Sequence, residues 1–364
     1  MNATAKLRDI GQSLWLDNIT RDLLKSGTLA KYINEWSVTG LTSNPTIFEH
    51  AFKNSSLYDD SIQRKVREGK TDEPLFFDIA IEDLTAAADL FRPIYDKTNG
   101  LDGFVSLEVS PKLAFDTAAT IAAAKSLHAK ANRPNLYIKI PGTKEGLPAI
   151  EEAISAGVPV NVTLLFSREQ YVAAAQAYQR GIERRINAGL NPRVESVASV
   201  FISRWDGAIA GKVPAELTNK LGLAMGLRIY KAYRDLLNSQ AWQRMYNFGA
   251  RPQRLLWAST GTKDPKASDI LYIKGLASPF TVNTMPEGTL KAFADHGEVG
   301  ELLPADGGTG ETQLAGFTKA GVDLDQLAAK LQTDGAASFV KSWESLLSGL
   351  SEKVRGAKAP AGVA

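Results

Sequence analysis

The stretch Asn135-Leu136-Tyr137-Ile138-Lys139-Ile140-Pro141-Gly142 is a short apolar run that stops at a Pro-Gly pair. This pattern is typical of a buried strand that leads into a loop. Burial of Lys139 would strip water from its ammonium and favour the neutral, nucleophilic amine that imine formation requires. A lysine whose stem packs while its charged head reaches solvent is the structural alternative. The neighbouring segments bear on which interpretation holds.

Outward from this run, short apolar or β-branched segments alternate with amphipathic or Ala-rich ones, as in repeated β-α units around a parallel sheet. Helical periodicity is clearest in residues 111–129 and 168–188. The pattern predicts an α/β fold, a (β/α)8 TIM barrel with additional helices. Its eight predicted strands fall near residues 14–17, 39–44, 104–109, 136–139, 158–162, 197–202, 255–258 and 280–283.

The chain is longer than a minimal barrel, with 364 residues against the ~250 that such a fold needs. The surplus falls in three predicted helical regions, residues 50–97, 212–248 and 325–354. No shift in composition marks a boundary. We therefore expect residues 1–355 to form a single (β/α)8 barrel domain with its extra helices, and residues 356–364 to be a disordered tail.

Composition excludes several classes of function. The chain has no cysteine, which rules out disulfides and thiolate chemistry, and its three histidines are far apart. We therefore expect no metal and no cofactor. A net charge of +2 gives no sign of nucleic-acid or membrane partners. The sequence shows neither a signal peptide nor a membrane span, so we expect a cytoplasmic monomer or homodimer that acts on small molecules.

Polar side chains follow or end six of the predicted strands, where a barrel places its catalytic groups. One such residue is usually a satisfied core group or a helix cap. Six strand ends that converge on polar side chains are harder to explain structurally. The residues concerned include Asp17, Asn44, Glu108, Lys139, Asn161, Thr163 and Ser203.

These residue types fit class I aldol chemistry. That chemistry needs a desolvated lysine as covalent electron sink, a carboxylate that moves the substrate hydroxyl proton, and a second acid–base group for imine formation. Lys139, Asp17 and Glu108 supply the three types. One carboxylate would stay ionised beside the cationic imine and the other would carry a proton. The residues alone leave open which carboxylate takes which part.

Several segments resemble the transaldolase family. Residues 39–48 resemble its first signature, and residues 136–146 resemble its second, which contains the Schiff-base lysine. Further matching segments occur in family order, so that the resemblance covers roughly residues 10 to 300, most of the barrel of about 250 residues. The chain is similar to the longer bacterial members. The further segments are 106–109, 161–167, 199–203 and 281–286.

The resemblance implies transfer of a dihydroxyacetone unit from fructose 6-phosphate or sedoheptulose 7-phosphate to erythrose 4-phosphate or glyceraldehyde 3-phosphate, in the non-oxidative pentose phosphate pathway. It implies that Lys139 attacks the C2 carbonyl and that Asp17 takes the proton of the C4 hydroxyl. It further implies that one pair of residues positions a water and another pair binds substrate hydroxyls, respectively Glu108 with Thr163, and Asn44 with Asn161.

The phosphate end departs from the best-known transaldolases, which read Ser-Pro-Phe, then Val-Gly-Arg, after strand six and Ser-x-Arg after strand seven. Here the corresponding segments are residues 203–208 and 259–263, and neither arginine is in its place. We expect Arg204 and Lys263, with Ser203, Ser259 and loop amides, to bind the phosphate instead.

Each of these assignments has a structural alternative. Arg204 could form an ion pair with Asp206 or Glu195, and Lys263 could be a solvated loop charge. Trp205 could line the substrate pocket and exclude water, or be a core aromatic.

Two other functions remain possible. One is a fructose-6-phosphate aldolase of the same family, which releases free dihydroxyacetone; Glu108 argues against it, because that branch has glutamine there and much shorter chains. The other is a non-catalytic sugar-phosphate-binding barrel. Lys139 together with Asp17 argues against it, because a simple binder has no need for a desolvated amine opposite a carboxylate.

Overall fold

A computed structural model describes residues 2–358. Its eight strands are all parallel and form a closed barrel in chain order, in which β8 pairs with β1. This confirms the predicted (β/α)8 barrel. The strands are β1 (Gln12–Asp17), β2 (Val38–Thr42), β3 (Val105–Glu108), β4 (Leu136–Pro141), β5 (Val160–Leu165), β6 (Ser196–Phe201), β7 (Arg254–Ala258) and β8 (Thr281–Met285).

Helices surround the barrel, and two short 3-10 helices, Pro111–Leu113 and Ala215–Leu217, lie among them. The α-helices in the described part of the chain are α1 (Ala3–Asp9), α2 (Arg21–Lys25), α3 (Thr28–Trp36), α4 (Pro45–Asn54), α5 (Asp59–Arg67), α6 (Asp72–Lys97), α7 (Thr117–Ala131), α8 (Gly146–Ser155), α9 (Arg168–Asn187), α10 (Ser203–Ile209), α11 (Leu221–Asn238), α12 (Gln240–Asn247), α13 (Leu271–Gly275), α14 (Glu287–His296), α15 (Gly310–Lys319) and α16 (Leu324–Lys358).

Helix starts follow from local capping chemistry. Ser167 and Gln170 form a reciprocal capping box at α9, and Asp116 accepts a hydrogen bond from the backbone N–H of Ala119 at α7. That cap explains why the helix predicted over residues 111–129 is interrupted, with a 3-10 turn before Asp116 and α7 after it. The predicted helix over residues 168–188 matches α9 closely.

Strand β5 differs most from its predicted range of 158–162, since it runs from Val160 to Leu165. Leu164 has a φ of 59°, and the ladder to β6 skips between Val162 and Leu165. A residue in this left-handed region bends the strand and interrupts the period-two pattern, so the sequence pattern did not reveal the longer strand.

The three predicted surplus regions become α4 to α6, α11 with α12, and α16. Helix α16 packs against α4, α5 and α6, and it reaches Lys358. Residues 359–364 of the predicted tail lie outside the described residues. Among the helices within residues 2–358, none combines the length and the apolar character that crossing a membrane requires.

Candidate active site

A cavity of about 290 Å³ opens at the carboxyl end of the barrel. Strands and the loops after them supply most of its wall, and α16 adds one aromatic ring. This is where barrels of this kind carry their chemistry. The lining residues are Asp17, Thr42, Asn44, Lys139, Ser199, Phe201, Arg204, Ala258, Ser259, Gly261, Lys263, Thr284, Pro286 and Phe339.

Lys139 lies buried on β4, with only 4% of its surface exposed. Its Nζ is 3.1 Å from Oε2 of Glu108 and donates a hydrogen bond of 3.1 Å to the carbonyl of Ser43. The sheet register explains the pairing, because Glu108 on β3 lies directly opposite Lys139. The amine of Lys139 is therefore buried, and the alternative of a charged head that reaches solvent is not observed.

Glu108 is also buried, and apart from the 3.1 Å contact between its Oε2 and Lys139 Nζ its carboxylate oxygens have no hydrogen-bond partner among residues 2–358. Burial raises the pKa of Glu108 above its ordinary value, although the Lys139 ammonium opposes that shift. A carboxyl in this position can take the proton of its neighbour, which would leave a neutral amine beside a carboxylic acid. Glu108 is thus suited to proton transfer next to the nucleophile.

Asn161 lies beside Lys139 in the β4–β5 register and is fully buried. Its Nδ2 donates to Ser106 Oγ at 3.1 Å, and its Oδ1 accepts from Ser199 Oγ at 2.7 Å. These two bonds fix the orientation of the amide. Thr163 follows two residues later, with a buried hydroxyl that has no hydrogen-bond partner within the described part of the chain.

Asp17 lines the cavity from the end of β1 and is partly buried. Its Oδ1 accepts a hydrogen bond of 2.7 Å from Thr42 Oγ1, which itself lies 2.7 Å from Thr284 Oγ1. Asn44 follows β2 and caps α4, since its side-chain oxygen accepts from the N–H of Ile47 at 3.1 Å. The cap occupies the oxygen of this amide, and the residue also lines the cavity.

Three predicted phosphate-binding residues, Arg204, Ser259 and Lys263, line the same cavity. Arg204 makes no ion pair within 4.0 Å in the described part of the chain, so neither predicted pairing is present. Its guanidinium lies instead 5.0 Å from the ring centre of Phe201 and 5.6 Å from that of Phe339. Burial lowers the pKa of Arg204, with Glu108 opposing the shift.

Five predicted site residues lie outside the lining of this cavity: Glu108, Asn161 and Thr163, which are buried beside Lys139, and Ser203 and Trp205. Ser203 is buried and its Oγ is 2.9 Å from Ser259 Oγ, so it contacts a lining residue rather than the cavity itself. Trp205 is fully buried in the core. Because α10 begins at Ser203, the helical turn carries the Trp205 ring away from the strand end, and the core alternative for this residue is the one observed.

Several lining residues were not among the predicted site residues. Ser199 and Thr284 lie in segments that resemble the family motifs, and Thr42 ends β2, two residues before Asn44. Their positions in the sequence could therefore have indicated them. Phe339 is different. It lies on α16, far along the chain from every strand, and nothing in the local sequence distinguishes it from a core phenylalanine.

Comparison with known families matches residues 14–350 to the family described as Transaldolase/Fructose-6-phosphate aldolase. A protein named Transaldolase 2 from Nostoc punctiforme is 40% identical over 97% of this chain and 98% of its own length. Proteins named Transaldolase from Thiobacillus denitrificans and Thermobifida fusca are 43% and 42% identical, over 95% and 96% of this chain and 99% and 97% of theirs. This chain therefore belongs to the transaldolase/fructose-6-phosphate aldolase family.

Proposed function

We propose that this protein is a transaldolase, which moves a dihydroxyacetone unit from a ketose phosphate to an aldose phosphate through a Schiff base on Lys139. The observation that carries the proposal is the buried pair of Lys139 Nζ and Glu108 Oε2, 3.1 Å apart, whose lysine lines a cavity that Asp17 also lines. Donors would be fructose 6-phosphate or sedoheptulose 7-phosphate, and acceptors erythrose 4-phosphate or glyceraldehyde 3-phosphate.

Schiff-base formation begins when neutral Lys139 attacks the C2 carbonyl of the donor. Glu108, whose pKa burial raises, takes the ammonium proton and later returns it as the C2 oxygen leaves as water. The unpaired hydroxyl of Thr163 lies on the neighbouring strand and can hold that water. The amides of Asn44 and Asn161 would bind substrate hydroxyls.

Cleavage requires a base for the C4 hydroxyl. The carboxylate of Asp17 takes that proton, the C3–C4 bond breaks, and its electron pair moves into the imine to give an enamine, while the aldose phosphate leaves. The hydrogen bond from Thr42 fixes one oxygen of Asp17. Transfer is the reverse: the enamine carbon attacks the acceptor aldehyde, and Asp17 returns its proton to the new oxyanion.

The phosphate would lie at the other end of the cavity. Arg204 supplies a guanidinium without a carboxylate partner within 4.0 Å in the described part of the chain, and Lys263 and the Ser259 hydroxyl line the same wall. Charge-assisted hydrogen bonds of this kind are the usual way to hold a phosphate. We propose that the protein carries out this reaction in the non-oxidative pentose phosphate pathway. It would do so in the cytoplasm, as a monomer or homodimer.

The test is reduction with borohydride in the presence of fructose 6-phosphate, followed by peptide mapping, with a parallel assay that adds erythrose 4-phosphate. We expect a three-carbon adduct on Lys139 and acceptor-dependent sedoheptulose 7-phosphate. Lys139→Ala should lose the adduct and lower turnover by at least about 10⁴-fold while it keeps the fold. The matched control, Lys125→Ala, removes an exposed lysine that pairs with Glu152 and should leave both readouts unchanged.

Other outcomes separate the alternatives. An adduct with rapid release of dihydroxyacetone, independent of acceptor, would identify an aldolase of the same family. Substrate binding with no adduct would identify a binding barrel, and a fully active Lys139→Ala variant would refute the mechanism.

A further inference from the structure

One face of α16 contacts the carboxyl end of the barrel. Gln332, Gly335 and Phe339 are spaced three and four residues apart, so they share this face. Gln332 hydrogen-bonds Gly142 and Leu164, Gly335 lies close to Arg204, and Phe339 lines the cavity. The helix is therefore in direct contact with the site, although it is the last element of the fold.

Gln332 connects the helix to the loop after β4 and to the end of β5. Its Nε2 donates to the carbonyl of Gly142 at 3.1 Å and to that of Leu164 at 2.9 Å. Gly142 closely follows Lys139, and Leu164 follows Thr163. Leu164 holds a positive φ of 59°, a conformation that persists only where its surroundings enforce it. Gln332 thus satisfies a carbonyl in the distorted part of β5.

Gly335 leaves space for the guanidinium of Arg204. A Cβ at this position would lie 2.9 Å from Leu164 Cδ2 and 3.1 Å from an Nη1 atom of Arg204. The Leu164 side chain or the helix would have to shift, and the guanidinium would have to give way by a few tenths of an ångström. The glycine therefore lets α16 approach the cavity while Arg204 keeps its place.

Phe339 lines the cavity and connects its two cations. The centre of its ring is 5.8 Å from Nζ of Lys139 and 5.6 Å from the guanidinium carbon of Arg204. Only 6% of the residue is exposed. The ring occupies space next to the amine that water would otherwise fill, and it packs beside the ring of Phe201, with the two ring centres 6.5 Å apart and the guanidinium near both.

We propose that this face of α16 is part of the active site, and that Phe339 determines whether the enamine is transferred to an acceptor or released. This inference rests on the transaldolase function proposed above. Release requires protonation of the enamine carbon, addition of water to C2 and cleavage of the C–N bond, which gives dihydroxyacetone and the free amine. Transfer instead forms a C–C bond to the acceptor aldehyde. After transfer, water hydrolyses the new imine at the same C2, so the two routes differ in what the enamine carbon takes up first, a proton or the acceptor aldehyde. The Phe339 ring beside Lys139 keeps out the water that would supply that proton.

The experiment measures the ratio of dihydroxyacetone released to sedoheptulose 7-phosphate formed from fructose 6-phosphate, at fixed erythrose 4-phosphate. We expect Phe339→Ala to raise this ratio about tenfold, as loss of a buried cation–π contact and of water exclusion allows. Phe339→Leu, which keeps most of the apolar volume, should give a smaller rise and serves if the alanine variant does not fold. Gly335→Ala should raise KM for the sugar phosphates more than it lowers kcat.

Leu346→Ala is the matched control, because it truncates a buried residue of the same helix that does not line the cavity. It should lose stability and keep the wild-type ratio. A wild-type ratio in folded Phe339→Ala or Phe339→Leu would overturn the inference and leave the proposed function intact. Wild-type protein that forms no adduct on Lys139 would overturn both.

Discussion

Two buried carboxylates lie near opposite ends of strand β3 and differ in their hydrogen bonding: Asp102 lies just before the strand, and Glu108 is its last residue. At the amino end, Asp102 accepts hydrogen bonds from Trp15 Nε1 at 2.9 Å, from the N–H of Gly103 at 3.0 Å and from the hydroxyl of Ser13, with an Arg254 nitrogen 3.6 Å away. At the carboxyl end, the only close polar contact of Glu108 in the described part of the chain is the one between its Oε2 and Lys139 Nζ, at 3.1 Å.

The two carboxylates therefore differ in what they contribute, Asp102 to stability and Glu108 to function. A buried carboxylate with its hydrogen bonds made contributes to a rigid, unique structure. One that lacks them costs stability and is kept where its unsatisfied oxygens are useful, here beside the Lys139 amine. The amino end of the barrel therefore has the character of a scaffold and the carboxyl end that of a reaction site.

Removing the amino-end carboxylate should have the largest effect on stability. Asp102→Ala would leave Trp15 Nε1, Ser13 and Arg254 buried without their common acceptor. We expect the free energy of unfolding to fall by about 3–5 kcal/mol, the usual cost of breaking a buried charged network. Urea denaturation measures this, and kcat of the protein that remains folded should be unchanged.

An exposed carboxylate provides the control for that experiment. Asp295→Ala removes a side chain that is 86% exposed and should change stability by less than about 0.5 kcal/mol. If Asp102→Ala instead lowered kcat at full stability, the division between the two ends would be wrong.

At the carboxyl end the expected pattern is reversed. Glu108→Gln keeps the shape of the side chain but cannot take the proton of Lys139, so imine formation should slow by about a hundredfold. Rapid mixing followed by borohydride quenching measures the rate at which the adduct forms. The loss in unfolding free energy should be smaller than in Asp102→Ala, because the amide oxygen of glutamine can keep the one contact with Lys139, whereas Asp102→Ala removes three hydrogen bonds. An unchanged rate of adduct formation would show that Glu108 is not the proton acceptor.

The sequence predicted the barrel and six of the fourteen residues that line the cavity, because strand ends can be read locally. Lys139 and Glu108 each end a short apolar run, and the parallel order of β3 and β4 brings them into register. The roles of these residues stay predictions, and so do the phosphate contacts of Arg204 and Lys263, although both line the cavity.

The contributions of α16 could not be predicted from the sequence. Gln332 and Phe339 lie on the inner face of an amphipathic helix, where a buried phenylalanine is ordinarily a core residue. Their role depends on where the helix crosses the barrel, which no local pattern specifies. Trp205 is the opposite case. Its position after strand six suggested that it could line the cavity, but α10 begins at Ser203 and turns the Trp205 ring into the core.

Glu195 tests the comparison most finely, because it is an incompletely satisfied carboxylate at the amino end. It is buried before β6, its Oε1 has no hydrogen-bond partner among residues 2–358, and Arg193 and Arg251 approach only to 3.7 and 3.5 Å. Burial raises the pKa of Glu195 to about 7, against the influence of these arginines. The folded protein thus binds a proton that the unfolded chain has already lost above its ordinary pKa near 4.5.

Stability from this group should therefore be present at low pH and lost as pH rises through about 7, by about 2 kcal/mol between pH 5 and pH 7. Glu195→Gln should remove that part of the pH dependence, so that its stability relative to wild type increases with pH. Urea denaturation at both pH values measures the difference, with exposed Glu301→Gln as the control. Parallel pH profiles for Glu195→Gln and wild type would contradict the assignment. Unchanged kcat of Glu195→Gln would show that an incompletely hydrogen-bonded carboxylate is functional only where it lies beside the reactive lysine.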